Sequence, residues 1–134
     1  MLFRSDEFGH PAGDLVLETV GWILSENARI GDCVARIGGE EFAVILAGTD
    51  VGTAMAIAER FRTLIETAPW SRRKITASFG VAVKTNDMTS EHDLVAAADA
   101  ALYISKQNGR NRVTQAPGEE HNPLKDLDAY FPAQ

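Results

Sequence analysis

The sequence predicts an α+β sandwich, a mixed β-sheet flanked by helices, on three observations. Segments with apolar residues at helical spacing alternate with short runs rich in β-branched residues. Two of those runs are separated only by Gly38-Gly39-Glu40, the mark of a hairpin. The composition, 45% hydrophobic and 24% charged over 134 residues, is that of a globular domain, neither disordered nor collagen-like nor membrane-spanning.

Each element has its own signal. Asp14 to Asn27 is helical: Leu17, Val20, Ile23 and Leu24 fall on one face, and Gly13-Asp14 supplies a turn and an N-cap. Asp32 to Ile37 is a short mixed strand, and Glu41 to Ala47 a buried one by its β-branched content. Val51 to Thr67 is helical, with Met55, Ala58, Phe61 or Arg62, and Ile65 marking one side, and Pro69 stops it. Ile75 to Val83 alternates as a strand, with Gly80 marking a bulge or a close approach of another backbone. Glu91 to Asn108 is a helix with Leu94, Ala97, Ala101, Leu102 and Ser105 on one side, Ser90 as N-cap and Gly109 as terminator. Arg112 to Thr114 is a last short strand. Cys33 reads as packing, Trp22 as packing or a partner contact, and His10 as a structural hydrogen-bonder.

Charge and cysteine content narrow the function. A single Cys forms no internal disulfide, and no Cys/His set has zinc spacing. No signal segment or long apolar run is present, so a soluble cytoplasmic protein without membrane contact is expected. A net charge of −6 argues against broad DNA or RNA binding. Residues 1–116, with 12 Lys/Arg and 15 Asp/Glu, read as the domain; residues 117–134, with 1 Lys and 4 Asp/Glu, read as an acidic, Pro-containing tail.

The chemistry concentrates in Arg36-Ile37-Gly38-Gly39-Glu40-Glu41-Phe42. Adjacent glycines at a hairpin tip let backbone N–H groups approach phosphate oxygens with no Cβ in the way. A carboxylate beside a phosphate is repelled unless a cation lies between them, so Glu40 points to a bridging Mg²⁺. Glu40 and Glu41 project to opposite faces once the strand begins, so one of them is the ligand. A plain turn with solvated glutamates is the alternative.

This string resembles the signature of the GGDEF family of diguanylate cyclases, whose third position takes Asp or Glu. Three more segments are similar to the family's motifs, in the same order. Asp6-x-Phe8-Gly9-His10-x-x-Gly13-Asp14-x-x-Leu17 resembles NDxxGHxxGDxxL. Ile75-Thr76-x-Ser78-x-Gly80-Val81-Ala82 resembles hTxSxGhA. Ala98-Asp99-x-Ala101-Leu102-Tyr103-x-x-Lys106-x-x-Gly109-Arg110-Asn111 resembles ADxALYxAKxxGRN.

The resemblance implies a nucleotidyl-cyclase-like sheet and the condensation of two GTP into cyclic di-GMP and two pyrophosphates. Each GTP would lie on one domain, and a second GGDEF domain, a homodimer partner, would bring the other. Gly38 and Gly39 would leave room for sugar and phosphates. Glu40 would bind Mg²⁺ or Mn²⁺ and activate the 3′-hydroxyl. Lys106 and Arg110, four apart on one helix face, would hold phosphates, with Arg36 in reach; solvated cations near a helix end are the alternative. Asp14 matches a guanine-contacting carboxylate, against simple N-capping, and Leu17 would pack on the base or belong to the core. Ser5 stands where the family has Asn, offering one hydroxyl in place of an amide's paired donor and acceptor. Arg29-Ile30-Gly31-Asp32 matches the RxxD site at which cyclic di-GMP inhibits, with Arg60 as its secondary arginine; a surface ion pair is the alternative.

The family's first helix and its central strand, ending in a DxDxF motif whose first aspartate binds metal, have no counterpart in these residues. Met1 to Ser5 then reads as the remnant after that strand, with the neighbouring strands left unpaired. The chain so read is a fragment, a mis-started frame or a domain completed by another chain. Asp126 to Phe131 superficially resembles DxDxF. Three functions follow: a product-inhibited cyclase, a module that binds cyclic di-GMP or GTP without chemistry, or a truncated product.

Overall fold

The computed structural model describes residues 13–71 and 73–117 in full and residues 2–5 as backbone. In chain order the elements are β1 (Leu2–Ser5), α1 (Gly13–Asn27), β2 (Cys33–Arg36), β3 (Glu41–Ile45), α2 (Val51–Thr67), β4 (Ala77–Val81), α3 (Glu91–Gln107) and β5 (Val113–Gln115). The strands form one sheet in the order β2-β3-β1-β4-β5. Pairing is antiparallel except between β4 and β5, which are parallel. The sequence-derived elements are all present. β2, β3 and β4 are shorter than expected, and β5 is shifted by one residue.

One element was not expected. β1 lies at the centre of the sheet, pairing Leu2 with both Ala43 and Gly80, and Phe3 with both Phe42 and Phe79. The expectation of an absent central strand with unpaired neighbours is therefore corrected: Leu2–Ser5 takes the middle position and supplies ladder partners to β3 and β4. Four residues are too few to carry a periodicity, and this strand is specified by its neighbours.

The main core lies on one face of the sheet. Leu17, Val20, Ile23 and Leu24 of α1 and Ala54, Ala58, Phe61 and Ile65 of α2 pack on Phe42, Val44, Ala77, Phe79 and Val81. Strand alternation turns Gly80 to the opposite face, where α3 lies so close that a Cβ on Gly80 would meet Ala98 O at 2.1 Å and Leu102 N at 2.4 Å. The close-approach reading of Gly80 thus holds. Small residues on α3, Ala98 and Ala101, permit this contact.

Helix ends follow local chemistry. Asp50 caps α2 by accepting from Thr53 N at 2.7 Å, and Ala68 before Pro69 leaves the helix in extended conformation. Ser90 precedes α3 but its side chain makes no capping bond; instead Asp93 Oδ2 accepts from Thr89 N at 2.8 Å. Cys33 is exposed, not packed, since α3 does not extend over β2, and its cross-strand partner Ile45 is 63% exposed. Trp22 is also exposed, on the outer side of α1. Among the described residues no helix is long and apolar enough to cross a membrane. His10, the tail from residue 118 and its Asp126–Phe131 string lie outside the described residues.

Candidate functional site

Strand direction gathers the candidate residues at one end of the sheet. β3, β4 and β5 run the same way, so the hairpin tip before β3 and the turn from α3 into β5 share an end. β1 finishes there at Ser5. α1 starts at that end too, because its far terminus leads through Arg29–Asp32 into β2, whose first residue pairs with the last of β3.

The hairpin tip is built from its carbonyls. Ile37 N and Gly38 N donate to Glu41 O at 2.9 and 3.3 Å, closing the turn. Arg36 does not project freely: its Nε donates to Gly38 O at 3.2 Å and its second guanidinium nitrogen to Gly39 O at 2.7 Å. The guanidinium thereby fixes both glycine carbonyls, a role different from the expected phosphate contact. Neither Gly38 nor Gly39 has positive φ. A Cβ on Gly39 would meet nothing within 4 Å, and one on Gly38 only the Glu41 side chain, Cβ at 3.5 Å and Oε2 at 3.9 Å. The fold itself thus makes no demand for glycine at either position, yet both leave the tip bare. Glu40 follows, half-buried, and Glu41 opens β3.

Lys106 and Arg110 do not share a helix face. α3 ends at Gln107, and Gly109 turns the chain with φ 114. Arg110 N donates back to Ser105 O at 2.9 Å, closing a Schellman-type end. Arg110 and Asn111 then both take positive φ, 63 and 46. For a residue such as Arg110 this conformation costs about 1 kcal/mol or more, whereas Asn adopts it more readily. A spacing of four places two residues on one face only while the helix continues, and Gly109 ends it between them. Lys106 is half-buried in the last turn, and Arg110 is exposed beyond it.

The turn is held by a cluster that sequence reasoning missed. Arg62 of α2 grips Glu59 through two nitrogens at 2.9 and 2.5 Å, and donates to Glu66 Oε2 at 2.7 Å and Asn111 Oδ1 at 2.9 Å. Asn111 Nδ2 donates to the same Glu66 oxygen at 2.6 Å, and Lys74 Nζ reaches Glu66 Oε1 at 3.3 Å. The Asn111 amide, with Lys74 and Arg62, holds the Glu66 carboxyl below its ordinary range. The carboxylate of Glu59 raises Arg62 further above its already high value. Glu59, Arg62 and Glu66 stand at helical spacing, a legible signal; the link to Asn111 across the fold is not.

The Arg29–Asp32 pair lies at the other end, about 13 Å away along β2 at the usual rise per residue. Asp32 Oδ2 accepts from Arg29 N at 2.9 Å and from Nε at 3.1 Å, and Oδ1 from the guanidinium at 3.3 Å. Gly31, at φ 94, makes this tight loop possible. The carboxylate is 3% exposed and the guanidinium side chain 48%, so a buried anchor orients an accessible cation. The bond from Arg29 lowers the Asp32 carboxyl below its usual value. Thr49 accepts from Arg29 at 2.7 Å. Arg60 donates to Asn27 Oδ1 at 3.0 Å, tying α2 to the end of α1, two residues before Arg29.

The remaining candidates divide. Asp14 is exposed within the first turn of α1, not at the capping position before it. Leu17 is 6% exposed and belongs to the core, as the second of its two readings had it. Ser5 ends β1, and its side chain lies outside the description. No group of three or more His, Cys, Asp or Glu among the described residues could hold a metal ion.

Known proteins resemble this chain in sequence and overall fold. Residues 4–112 match the family model described as diguanylate cyclase, GGDEF domain. Diguanylate cyclase A of Treponema denticola is 48% identical over 114 residues, covering 82% of this chain and 31% of that protein. The chain thus spans about a third of that relative's length. The active GGEEF domain of a diguanylate cyclase from Vibrio cholerae superposes with TM-score 0.81 at 30% identity, covering 87% of this chain and 80% of the other. The GGDEF domain of DgcB from Caulobacter crescentus, solved in complex with c-di-GMP, gives 0.79 at 33% identity, over 86% and 75%. The family match spans most of the chain, and the chain belongs to the GGDEF-domain family of diguanylate cyclases.

Proposed function

We propose that this domain binds GTP at the hairpin end of the sheet and, paired with a second copy, condenses two GTP into cyclic di-GMP and two pyrophosphates. One observation carries the reading: a bare glycine tip that the fold does not require, beside Glu40, shares a sheet end with the turn that presents Arg110. The glycine backbone would lie against the sugar and phosphates, and Lys106 and Arg110 would meet the triphosphate. Asp14 would accept from the guanine edge. Arg36 would act indirectly, by fixing the tip.

Glu40 fits as the protein carboxylate of Mg²⁺ or Mn²⁺, since such ions commonly take one or two carboxylates and fill their shell with phosphate oxygens and water. The bound cation would neutralise charge developing on the phosphoryl oxygens. Glu40 would also take the proton from the 3′-hydroxyl. The freed oxygen bonds to the α-phosphorus of the partner's GTP as the bond from that phosphorus to pyrophosphate breaks. Two such steps, one in each direction, close the ring. Bringing the two nucleotides face to face supplies the entropic part of the rate. GTP is a cytoplasmic nucleotide, in keeping with the location read from the sequence.

Purified chain incubated with GTP and Mg²⁺ should yield cyclic di-GMP. No product from a chain that binds GTP would overturn the catalytic reading. Gly39→Ala separates ligand from fold: the melting temperature should stay unchanged while GTP affinity falls about ten-fold, since the new methyl meets only the ligand's space. A loss of stability instead would show that the glycine serves the fold.

A second reading concerns the other end of the sheet, where the Arg29 guanidinium is already oriented by a buried carboxylate. We propose that cyclic di-GMP binds there through Arg29 and Asp32, with Arg60, and restrains the enzyme; a domain without turnover would act there as a receptor. Arginine meets phosphate or the guanine edge through two nitrogens. Replacing Arg29 and Asp32 together by alanine leaves no buried charge behind. The product concentration needed for half-inhibition should rise about ten-fold or more, with initial turnover retained. An unchanged value would dismiss the site.

A further inference from the structure

The turn that presents Arg110 is unusual in that Gly109, Arg110 and Asn111 all adopt positive φ. Its shape is held from three directions. Arg110 N is tied to Ser105 O at 2.9 Å, and Arg110 O accepts from Arg112 Nε at 3.0 Å. Immediately after the turn, Arg112 O accepts from Phe79 N at 2.9 Å, pinning the chain to β4. The third tether is the only one of these made by side chains of another element: both ends of the Asn111 amide are held by α2, its oxygen by Arg62 at 2.9 Å and its nitrogen by Glu66 at 2.6 Å.

We propose that Glu66 and Arg62 are positioning residues for the triphosphate: by holding both ends of the Asn111 amide they keep the turn left-handed and so set the direction in which Arg110 is presented. The inference rests on the reading of Arg110 as a phosphate-binding residue. Neither α2 residue needs to touch the ligand. Glu59 holds Arg62 through two nitrogens, and Lys74 holds the second oxygen of Glu66, so both residues are themselves fixed before Asn111 engages them. A carboxylate at residue 66 is suited to this task because it accepts from Asn111, Arg62 and Lys74 at once.

Strained backbone persists only where its surroundings over-determine it, and such places recur at ligand-binding sites. Released from α2, Asn111 and Arg110 would relax toward commoner conformations, and the guanidinium would sample directions that miss the phosphates. The penalty would then appear in triphosphate affinity more than in global stability, because the amide lies outside the apolar core.

The test is a two-by-two set of variants in the full chain, titrated calorimetrically with α,β-methylene GTP and Mg²⁺. Glu66→Ala should weaken binding about ten-fold, as misplacement of a binding group does. Arg110→Ala should weaken it at least as much, and adding Glu66→Ala to Arg110→Ala should cost nothing further. Glu66→Gln, which keeps an acceptor for the Asn111 amide, should recover most of the affinity. Should Glu66→Ala fail to fold, Asn111→Gly replaces it: glycine tolerates the left-handed turn but loses both tethers, and the same pattern is expected. Weakening by Arg110→Ala with none from Glu66→Ala would overturn the positioning role and leave the phosphate reading standing. Equal weakening by Glu66→Ala in both backgrounds would reduce it to general scaffolding and overturn the proposal. No effect from Arg110→Ala, or no binding by the unmodified chain, would overturn the phosphate reading and the proposal with it.

Discussion

Gly80→Ala should destabilise the domain by about 3 kcal/mol or more, a large part of the margin that keeps a domain of this size folded. The added Cβ would fall 2.1 Å from Ala98 O and 2.4 Å from Leu102 N. Both are backbone atoms of α3, so no side-chain rotation can make room. Either α3 lifts from the sheet or β4 bows, and each exposes Phe79 and Ser105 to disorder. Ser105 is fully buried and donates to Phe79 O at 2.7 Å, a bond that depends on the same close approach. Urea unfolding of the purified variant checks this. A midpoint within experimental error of the parent would mean that α3 sits farther from β4 than described. Because Ser105 also anchors Arg110 N, the loosening should reach the turn that presents Arg110.

Glu40→Gln should lower cyclic di-GMP synthesis by about a hundred-fold or more while leaving the fold intact. The amide keeps the size and polarity of the side chain but loses the charge that would attract a divalent cation and the basicity that would accept a hydroxyl proton. Glu40 lies beyond the first pairing residue of β3 and is only half-buried, so the sheet does not depend on its ionisation. The check is initial-rate measurement at saturating GTP and Mg²⁺, with circular dichroism as control. Retained turnover would transfer both roles to another group. If turnover falls while GTP affinity in the absence of metal is unchanged, the loss is one of cation and proton handling rather than of nucleotide binding.

Much of this was legible because it is local. Helical spacing located α1, α2 and α3, and two glycines between β-rich runs located the hairpin. Pro69 and Gly109 are each read correctly from their own chemistry as stop signals. What was not legible depends on partners distant in sequence. β1 is a strand because β3 and β4 flank it, not because Leu2–Ser5 has a pattern. Arg36 turns inward because the hairpin offers it two carbonyls, a geometry that exists only once the turn has closed. Arg110 leaves the helix face because Gly109 ends the helix three residues sooner than spacing alone would carry it. Asn111 was visible as part of a motif, but its tether to Arg62 and Glu66 spans 49 and 45 residues. The Arg29–Asp32 pairing was legible, since its bonds join residues three apart, but the link from Arg29 to Thr49, twenty residues on, was not.

The most direct test of the central claim is to titrate uniformly labelled chain with α,β-methylene GTP and Mg²⁺ and follow its backbone amide resonances. A triphosphate at the hairpin end should shift Gly38, Gly39 and Glu40 together with Gly109, Arg110 and Asn111, two segments far apart in sequence that the sheet brings to one end. The amides of Arg29, Gly31 and Asp32, at the opposite end, should stay in place until cyclic di-GMP is added. Shifts confined to that opposite end, or centred on the Lys84–Met88 segment at the far end of β4, would contradict a nucleotide site built on the glycine hairpin.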